Sequence, residues 1–155
     1  MSNNYMLRAI ELSRQHMKAG NGGPFGAVIV KDDKIIAEGW NRVTTYMDPT
    51  AHAEVTAIRD ACKVLNRFNL SGCEIYTSCE PCPMCLAAIY WARIEKIYYA
   101  NTRGDAAQIE FDDDFLYQEL NLPIKQRKIP MIQVNHKEAL AVFREWALKV
   151  DKMTY

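Results

Sequence analysis

No stretch of this 155-residue chain approaches the roughly twenty consecutive apolar residues that a bilayer-spanning helix needs. The opening Met1-Ser2-Asn3-Asn4 carries no signal-peptide pattern, so a cytoplasmic protein with no membrane partner is expected. Neither sign of charge is in excess: 19 Lys and Arg face 19 Asp and Glu, and the formal net charge is zero. That argues against a protein whose affinity rests on a strongly cationic surface, as non-specific DNA binding does, though it leaves room for a local basic patch. Internal repeats, low-complexity segments and linkers are also missing. Cysteine is present, but in the odd number of five, and without an export signal a disulfide framework is not expected. What remains is 49% hydrophobic and 25% charged residues over a length that fits one core, so residues 1–155 are read as a single domain.

Residues 5–18 place Met6, Leu7, Ile10, Leu12 and Met17 at roughly helical spacing, and Gly20-Asn21-Gly22-Gly23-Pro24 stops that helix. Two short apolar runs, 25–30 and 35–40, flank Lys31-Asp32-Asp33-Lys34 and read as a β-hairpin. Thr50, after Asp48-Pro49, is the expected N-cap of a helix over about 51–66 that buries Ala53, Ala57, Ile58, Ala61 and Leu65. Residues 73–78 and 94–100 read as strands, with a helix over 83–92 between them that has proline near its start. Beyond Asn101 the pattern weakens: 109–120 suits a helix beginning near Asp112-Asp113-Asp114, 130–134 a last strand, and 138–149 an amphipathic helix packed through Phe143 and Trp146. His16 and His136 read as surface residues, and Cys62 and Cys73 as buried thiols. Strands alternating with helices imply an α/β sheet covered on both faces.

Two segments carry chemistry: Thr50-Ala51-His52-Ala53-Glu54 and Cys79-Glu80-Pro81-Cys82-Pro83-Met84-Cys85. Cys82 and Cys85, three residues apart, share one face on the first turn of a helix, where unpaired amides and the helix dipole favour thiolate over thiol. Two thiolates neutralise one Zn²⁺, and a neutral imidazole from His52 adds a third ligand without charge. The fourth tetrahedral position is then open to water, the arrangement of a catalytic rather than a structural zinc. Zinc would bring that water towards neutrality as a nucleophile, and Glu54 is the candidate to carry its proton. The pattern H-x-E followed by P-C-x-x-C is the signature of zinc nucleobase deaminases.

Duller explanations fit less of the pattern. A redox C-x-x-C leaves His52 and Glu54 unexplained. An iron–sulfur run starting Cys79, Cys82, Cys85 lacks its next cysteine and proline, since positions 89 and 90 are Ile and Tyr. A closed structural zinc with Cys79 as fourth ligand leaves Glu54 without a role. The Gly-rich stretch 20–26 lies between helix and strand, the reverse of a dinucleotide loop, and reads as a tight turn.

With these residues in view, the chain resembles the cytidine deaminase-like zinc hydrolases, and within them the small bacterial guanine deaminases. Gly22-Gly23-Pro24-Phe25-Gly26-Ala27, the 48–54 segment, Tyr76-Thr77-Ser78-Cys79-Glu80-Pro81-Cys82-Pro83-Met84-Cys85 and Ile89-Tyr90-Trp91-Ala92 carry the resemblance. Gly104-Asp105-Ala106-Ala107 and Phe111-Asp112-Asp113 discriminate more finely. The resemblance implies a three-layer α/β/α sandwich around a five-stranded mixed sheet, with one zinc per chain on His52, Cys82 and Cys85 and with Glu54 as proton shuttle. It implies that Phe25, Asn41, the amide of Ala53 and Trp91 bind the purine, and that Asp113 accepts hydrogen bonds from guanine and helps move protons. It further implies a homodimer that exchanges C-terminal segments, about 136–155, so that Tyr155 completes the partner's site.

An acidic group suits the donor-rich edge of guanine, Asn41 can both donate and accept, and an aromatic face such as Trp91 supplies stacking. The expected reaction is hydrolytic attack at C2, giving xanthine and ammonia. The nearest rival is a tRNA adenosine deaminase, which Gly39-Trp40-Asn41-Arg42 and the 48–54 segment also resemble. Phe111-Asp112-Asp113-Asp114-Phe115 is acidic where phosphates would be unwelcome, so a nucleic-acid partner is not expected. Guanosine and cytosine are further candidate substrates. From a different class, a non-catalytic zinc-stabilised binding module would bind zinc yet release no ammonia.

Overall fold

Alternation along one strand organises the first part of the molecule. The computed structural model describes residues 2–155, and in it strand β1 (Gly26–Lys31) is buried along nearly its whole length. Ala27 and Ile29 enter one apolar cluster while Val28 and Val30 enter another, as the two-residue period of a strand dictates. β1 lies between β2 (Lys34–Trp40) and β3 (Cys73–Cys79), antiparallel to both, and β3 pairs in parallel with β4 (Lys96–Asn101). The result is a mixed sheet of order β2-β1-β3-β4.

Helix α1 (Ser2–Lys18) covers one face, setting Ala9 and Leu12 against Val28, Val30 and Tyr76. After a short helix α2 (Val43–Tyr46), α3 (Ala53–Leu65) and α4 (Pro83–Trp91) cover the other face. There Ala53, Ala57, Ala61 and Ile89 pack with Ala27, Ile29 and Ile75. This reproduces the expected α/β/α layering within the unit that ends at Asp113.

The buried side of α3 is largely alanine, and the small side chains let the helix axis approach the sheet. The approach is closest at Gly39 on β2, where a Cβ would lie 2.1 Å from Ala53 O and 2.7 Å from Ala57 N. On the other face a Cβ on Gly26 would meet Ala9 O at 2.3 Å. Arg8 of α1 also forks onto Glu38 of β2, with Nε and Nη2 donating to Oε1 and Oε2 at 2.7 and 2.8 Å.

Several expectations need correction. The sheet has four strands among the described residues, not five. Residues 130–134 have no ladder partner, and Met131, Ile132 and Val134 are exposed. An alternating sequence makes a strand only when a neighbouring edge completes its hydrogen bonds. The helix expected over 109–120 is shorter, α6 (Asp114–Asn121), and starts in the acidic run as expected; an unforeseen helix, α5 (Arg103–Gln108), precedes it, and in the segment between them Glu110 has φ 71°. Thr102 and Asp105 form a reciprocal capping box at the start of α5.

Thr50 does not cap α3. Its backbone N–H and hydroxyl both donate to Asp48 Oδ1, at 2.8 and 2.7 Å, and the cap position falls to His52. His16 is half-buried rather than superficial: its ring stacks on Trp40 at 3.7 Å between centroids and 2° between planes. His136 is exposed, Cys73 buried and Cys62 half-buried.

The second unit, Asp114–Tyr155, consists of α6, a 3-10 turn at Ile124–Gln126, helix α7 (His136–Leu148) and a short tail. α7 buries none of its residues; Phe143 is 74% exposed and Trp146 44%, so they do not pack the helix as expected. No helix among the described residues is long and apolar enough to cross a membrane.

The closeness of α3 to β2 leads to a first prediction. Gly39→Ala drives a methyl group into the backbone of Ala53 and destabilises the fold by about 1–3 kcal/mol, the cost of overpacking a tight core. The check is a lower midpoint in urea with an unchanged slope; a midpoint equal to that of the parent protein would show that α3 can move away freely.

Candidate metal centre

α3 and α4 begin close to one another, and their cap residues are His52 and Cys82. Both cap residues have extended backbone, with φ/ψ of −69°/159° and −64°/167°, and neither makes the usual side-chain capping hydrogen bond. Ser, Thr, Asp or Asn at such a position would turn back to cap the helix. Here the imidazole and the sulfur approach each other instead: His52 Nδ1 lies 3.6 Å from Cys82 Sγ and 3.5 Å from Cys85 Sγ.

Local sequence explains the geometry. Pro81 and Pro83 each hold the preceding residue out of helical backbone, so the chain leaves β3 extended and enters α4 only at Pro83. Glu80 secures this crossing, donating its N–H to Asn101 O at 2.8 Å while its Oε2 accepts from Arg103 N at 3.0 Å. Cys85 follows one turn into the helix, on the side of Cys82.

The three ligand atoms of His52, Cys82 and Cys85 all lie within 4.8 Å of one another. Zinc bonds of about 2.3 Å to sulfur and 2.0–2.1 Å to nitrogen, at a tetrahedral angle, separate N and S by about 3.5 Å. The observed His–Cys distances match that edge, so the donor set fits zinc in both chemistry and spacing. Cys79 is not part of the cluster; its Sγ points to Thr102 O at 3.7 Å, which removes the closed four-ligand site.

Two helix N-termini direct unpaired amides at this spot, which favours anions there. Cys82 is held in the thiolate range, at about 4, chiefly because the Cys85 thiol donates to it, with His52 assisting. Cys85 is correspondingly pushed up, since the two sulfurs compete for one proton. His52 is raised by its bond to Cys82. Metal binding requires both thiolates and a neutral imidazole, so it displaces protons from the cluster.

Glu54, in the first turn of α3, is 6% exposed, and burial raises its carboxyl group above the ordinary range. Thr77 Oγ1 lies 3.1 Å from Glu54 Oε1. Burial raises Asp113 too, and the negative charge of Cys82 adds to the effect. Cys79, pushed up to about 11 by burial and by Glu54, stays a thiol.

The remaining candidates are placed as follows. Asn41 is buried; its N–H donates to Phe25 O at 3.2 Å and its Oδ1 accepts from Val43 N at 3.2 Å. Ala53 is the first residue of α3, where an amide has no carbonyl of its own helix to bond. Phe25 is half-buried and meets Phe111 edge-on, 4.9 Å between centroids at 86°. Trp91 closes α4 and is 63% exposed, so within the chain it is not a buried wall. Tyr155 belongs to the second unit and is exposed.

Thr77, Phe111 and Gly22 had no individual role in the sequence reading. For Gly22 the signal is steric: a Cβ there would lie 2.5 Å from Asn41 Oδ1 and 2.2 Å from Asn41 O, so only glycine leaves the asparagine in place. Thr77 and Phe111 stand inside quoted motifs, but only contact assigns them partners.

A carboxylate buried beside a His-Cys-Cys set at converging helix ends defines the class of hydrolytic zinc deaminases. The chain belongs to the family described as the cytidine and deoxycytidylate deaminase zinc-binding region, which residues 1–101 match. It is 56% identical over 151 residues, 97% of each chain, to the guanine deaminase of Bacillus subtilis strain 168. The X-ray structure of a guanine deaminase from Bacillus subtilis superposes with a TM-score of 0.96 at 55% identity, covering 99% of this chain and 98% of that one. The tRNA-specific adenosine deaminase of Aquifex aeolicus is 43% identical over 101 residues, 64% of this chain and 66% of its own.

The ligand set is tested by metal content. His52→Ala, Cys82→Ala and Cys85→Ala are each expected to emerge from gel filtration depleted of zinc, whereas Cys79→Ala keeps it. Elemental analysis decides; zinc retained by the first three or lost by the fourth would redraw the site.

Proposed function

We propose that this protein hydrolyses guanine to xanthine and ammonia. One observation carries the reading: the similarity to a guanine deaminase covers 97% of the chain at 56% identity, against 64% at 43% for the tRNA-specific adenosine deaminase of Aquifex aeolicus. The second reading, a tRNA adenosine deaminase, rests on relatives that are less similar and cover less of the chain. The acidic Asp112-Asp113-Asp114 also disfavours a phosphate backbone.

The reaction adds water across the ring at C2 and then expels the exocyclic amine, so guanine and water give xanthine and ammonia. His52, Cys82 and Cys85 would hold one zinc per chain, which would supply an activated water as nucleophile. Glu54 takes up the proton that the water gives away and delivers it to the ring nitrogen beside C2; it then takes the proton of the hydroxyl now on C2 and hands it to the departing amine as the C2–N bond breaks and the carbonyl forms. Burial supports this role, because a carboxyl group raised above its ordinary range takes up the water's proton more readily than an exposed one and is still acidic enough to return it.

Asn41 binds the purine ring. With Oδ1 engaged by Val43, its amide hydrogens are the groups directed to the base. The Ala53 amide contacts the base as well. Phe25 and Trp91 line it, and Asp113 accepts from its donor edge. Asp113 also helps move protons, a role to which its raised carboxyl is suited.

The active form is proposed to be a cytoplasmic homodimer acting in purine breakdown, with segments of about 136–155 exchanged and Tyr155 completing the partner's site. The exposed apolar residues of α7, Val142, Phe143 and Leu148, support a partner surface there.

Ammonia release from a panel of guanine, guanosine, cytosine, adenine and tRNA tests the substrate. Guanine is expected to react; turnover of tRNA alone would favour the second reading, and no turnover of any would favour a binding module. Glu54→Gln is expected to keep the metal and lose activity by about 10²–10⁴-fold, the scale of general acid–base catalysis. Removing the last few residues is expected to depress guanine turnover while sparing zinc; unchanged kinetics would remove Tyr155 from the site.

A further inference from the structure

Thr77, on the face of β3 that α3 covers, touches the proton carrier without being part of the mechanism above. It is 1% exposed and sits opposite Ala27 in the β1–β3 ladder. It shares the parity of Ile75, so its side chain faces α3 rather than α1. The hydroxyl oxygen is 3.1 Å from Glu54 Oε1 and 3.0 Å from the carbonyl oxygen of Cys79.

We propose that Thr77 is a positioning residue for Glu54: its hydroxyl fixes Oε1, so that Oε2 is the oxygen that exchanges protons with the substrate. The inference rests on the reading of Glu54 as proton carrier and adds how that carboxyl group is held. A glutamate has three side-chain torsions, and a misplacement of about 1 Å is enough to cost a hundredfold in rate. Position on α3 alone does not fix the last of those torsions, which for a terminal carboxyl is broad. Thr77 adds a fixed contact from a central strand whose own backbone is locked on both sides by β1 and β4, beside the contacts the carboxyl group makes with its own backbone N–H and with Cys85.

The chemistry of the hydroxyl suits the task. It has one hydrogen and two lone pairs, and two acceptors lie within its reach. It can donate to Glu54 Oε1 both when the group is a carboxylate and when Oε2 carries the proton, so Oε1 is held through either state. A lysine or arginine in its place would hold only the anion. The β-branched side chain also has few rotamers, so the oxygen stays where the strand puts it.

The experiment compares Thr77→Val, which keeps the shape and removes the oxygen, with Thr77→Ser, which keeps the oxygen. For Thr77→Val the expected result is a kcat for guanine lower by roughly tenfold to a hundredfold, with KM and zinc content unchanged. A crystal structure of that variant is expected to show the Glu54 carboxyl turned from its present position. Thr77→Ser is expected to return most of the lost kcat. If the valine variant does not fold, Thr77→Ala against Thr77→Ser carries the same one-oxygen comparison.

A valine variant with full kcat, a serine variant as slow as valine, or a loss confined to KM or zinc overturns the proposal. Failure of the substrate reading is separable: unmodified protein would then ignore guanine. The Thr77 effect would still be read on whichever base it deaminates, and in the Glu54 geometry.

Discussion

The meeting of two helix N-termini is the constraint on which the rest of the site depends. α3 supplies His52 and Glu54 within its cap and first turn, and α4 supplies Cys82 and Cys85 in the same way. Each helix end brings unpaired amides and a partial positive charge, and the residues placed there are those that gain from it: two sulfurs and a carboxyl group. Everything beneath exists to make the two ends coincide. The parallel β3–β4 pair forces a crossover through α4, Gly39 admits α3 to the sheet, and the two prolines delay the start of α4 until Cys82 has turned inward.

Much of this was legible in the sequence because it is local. The hairpin, α3, β3, α4 and β4 all fall within a few residues of where periodicity and turn chemistry place them. The His52-Glu54 and Cys82-Cys85 spacings are chemical statements that survive any uncertainty in helix boundaries. The cap of α3 was misplaced because Thr50 and Asp48 have the composition of a cap but spend their hydrogen bonds on each other. His16, read as superficial, is half-buried because Trp40, distant in sequence, offers a flat apolar surface to its ring.

What sequence could not carry is long-range. A run such as 130–134 has the apolar, β-branched content of a strand, yet no edge pairs with it among the described residues. Thr77 lies within a quoted motif, but only the fold brings it to Glu54, 23 residues away in sequence. Phe111 and Phe25 are a similar case, an aromatic contact across most of the first unit. Charge worked differently. The neutral balance is a property of the whole chain, and it agrees with similarity that extends beyond the deaminase core.

The His52–Cys82 contact closes a loop of 30 residues between two helix ends. Metal held at that closure links segments that are independent in the unfolded chain, much as a disulfide would, but reversibly. A ligand that binds the native chain far better than the unfolded one adds stability that grows with the logarithm of its free concentration. With zinc bound there, the folded population would be tied to the zinc supply of its surroundings. The same three side chains that prepare the site for chemistry also make the persistence of the fold a matter of mass action.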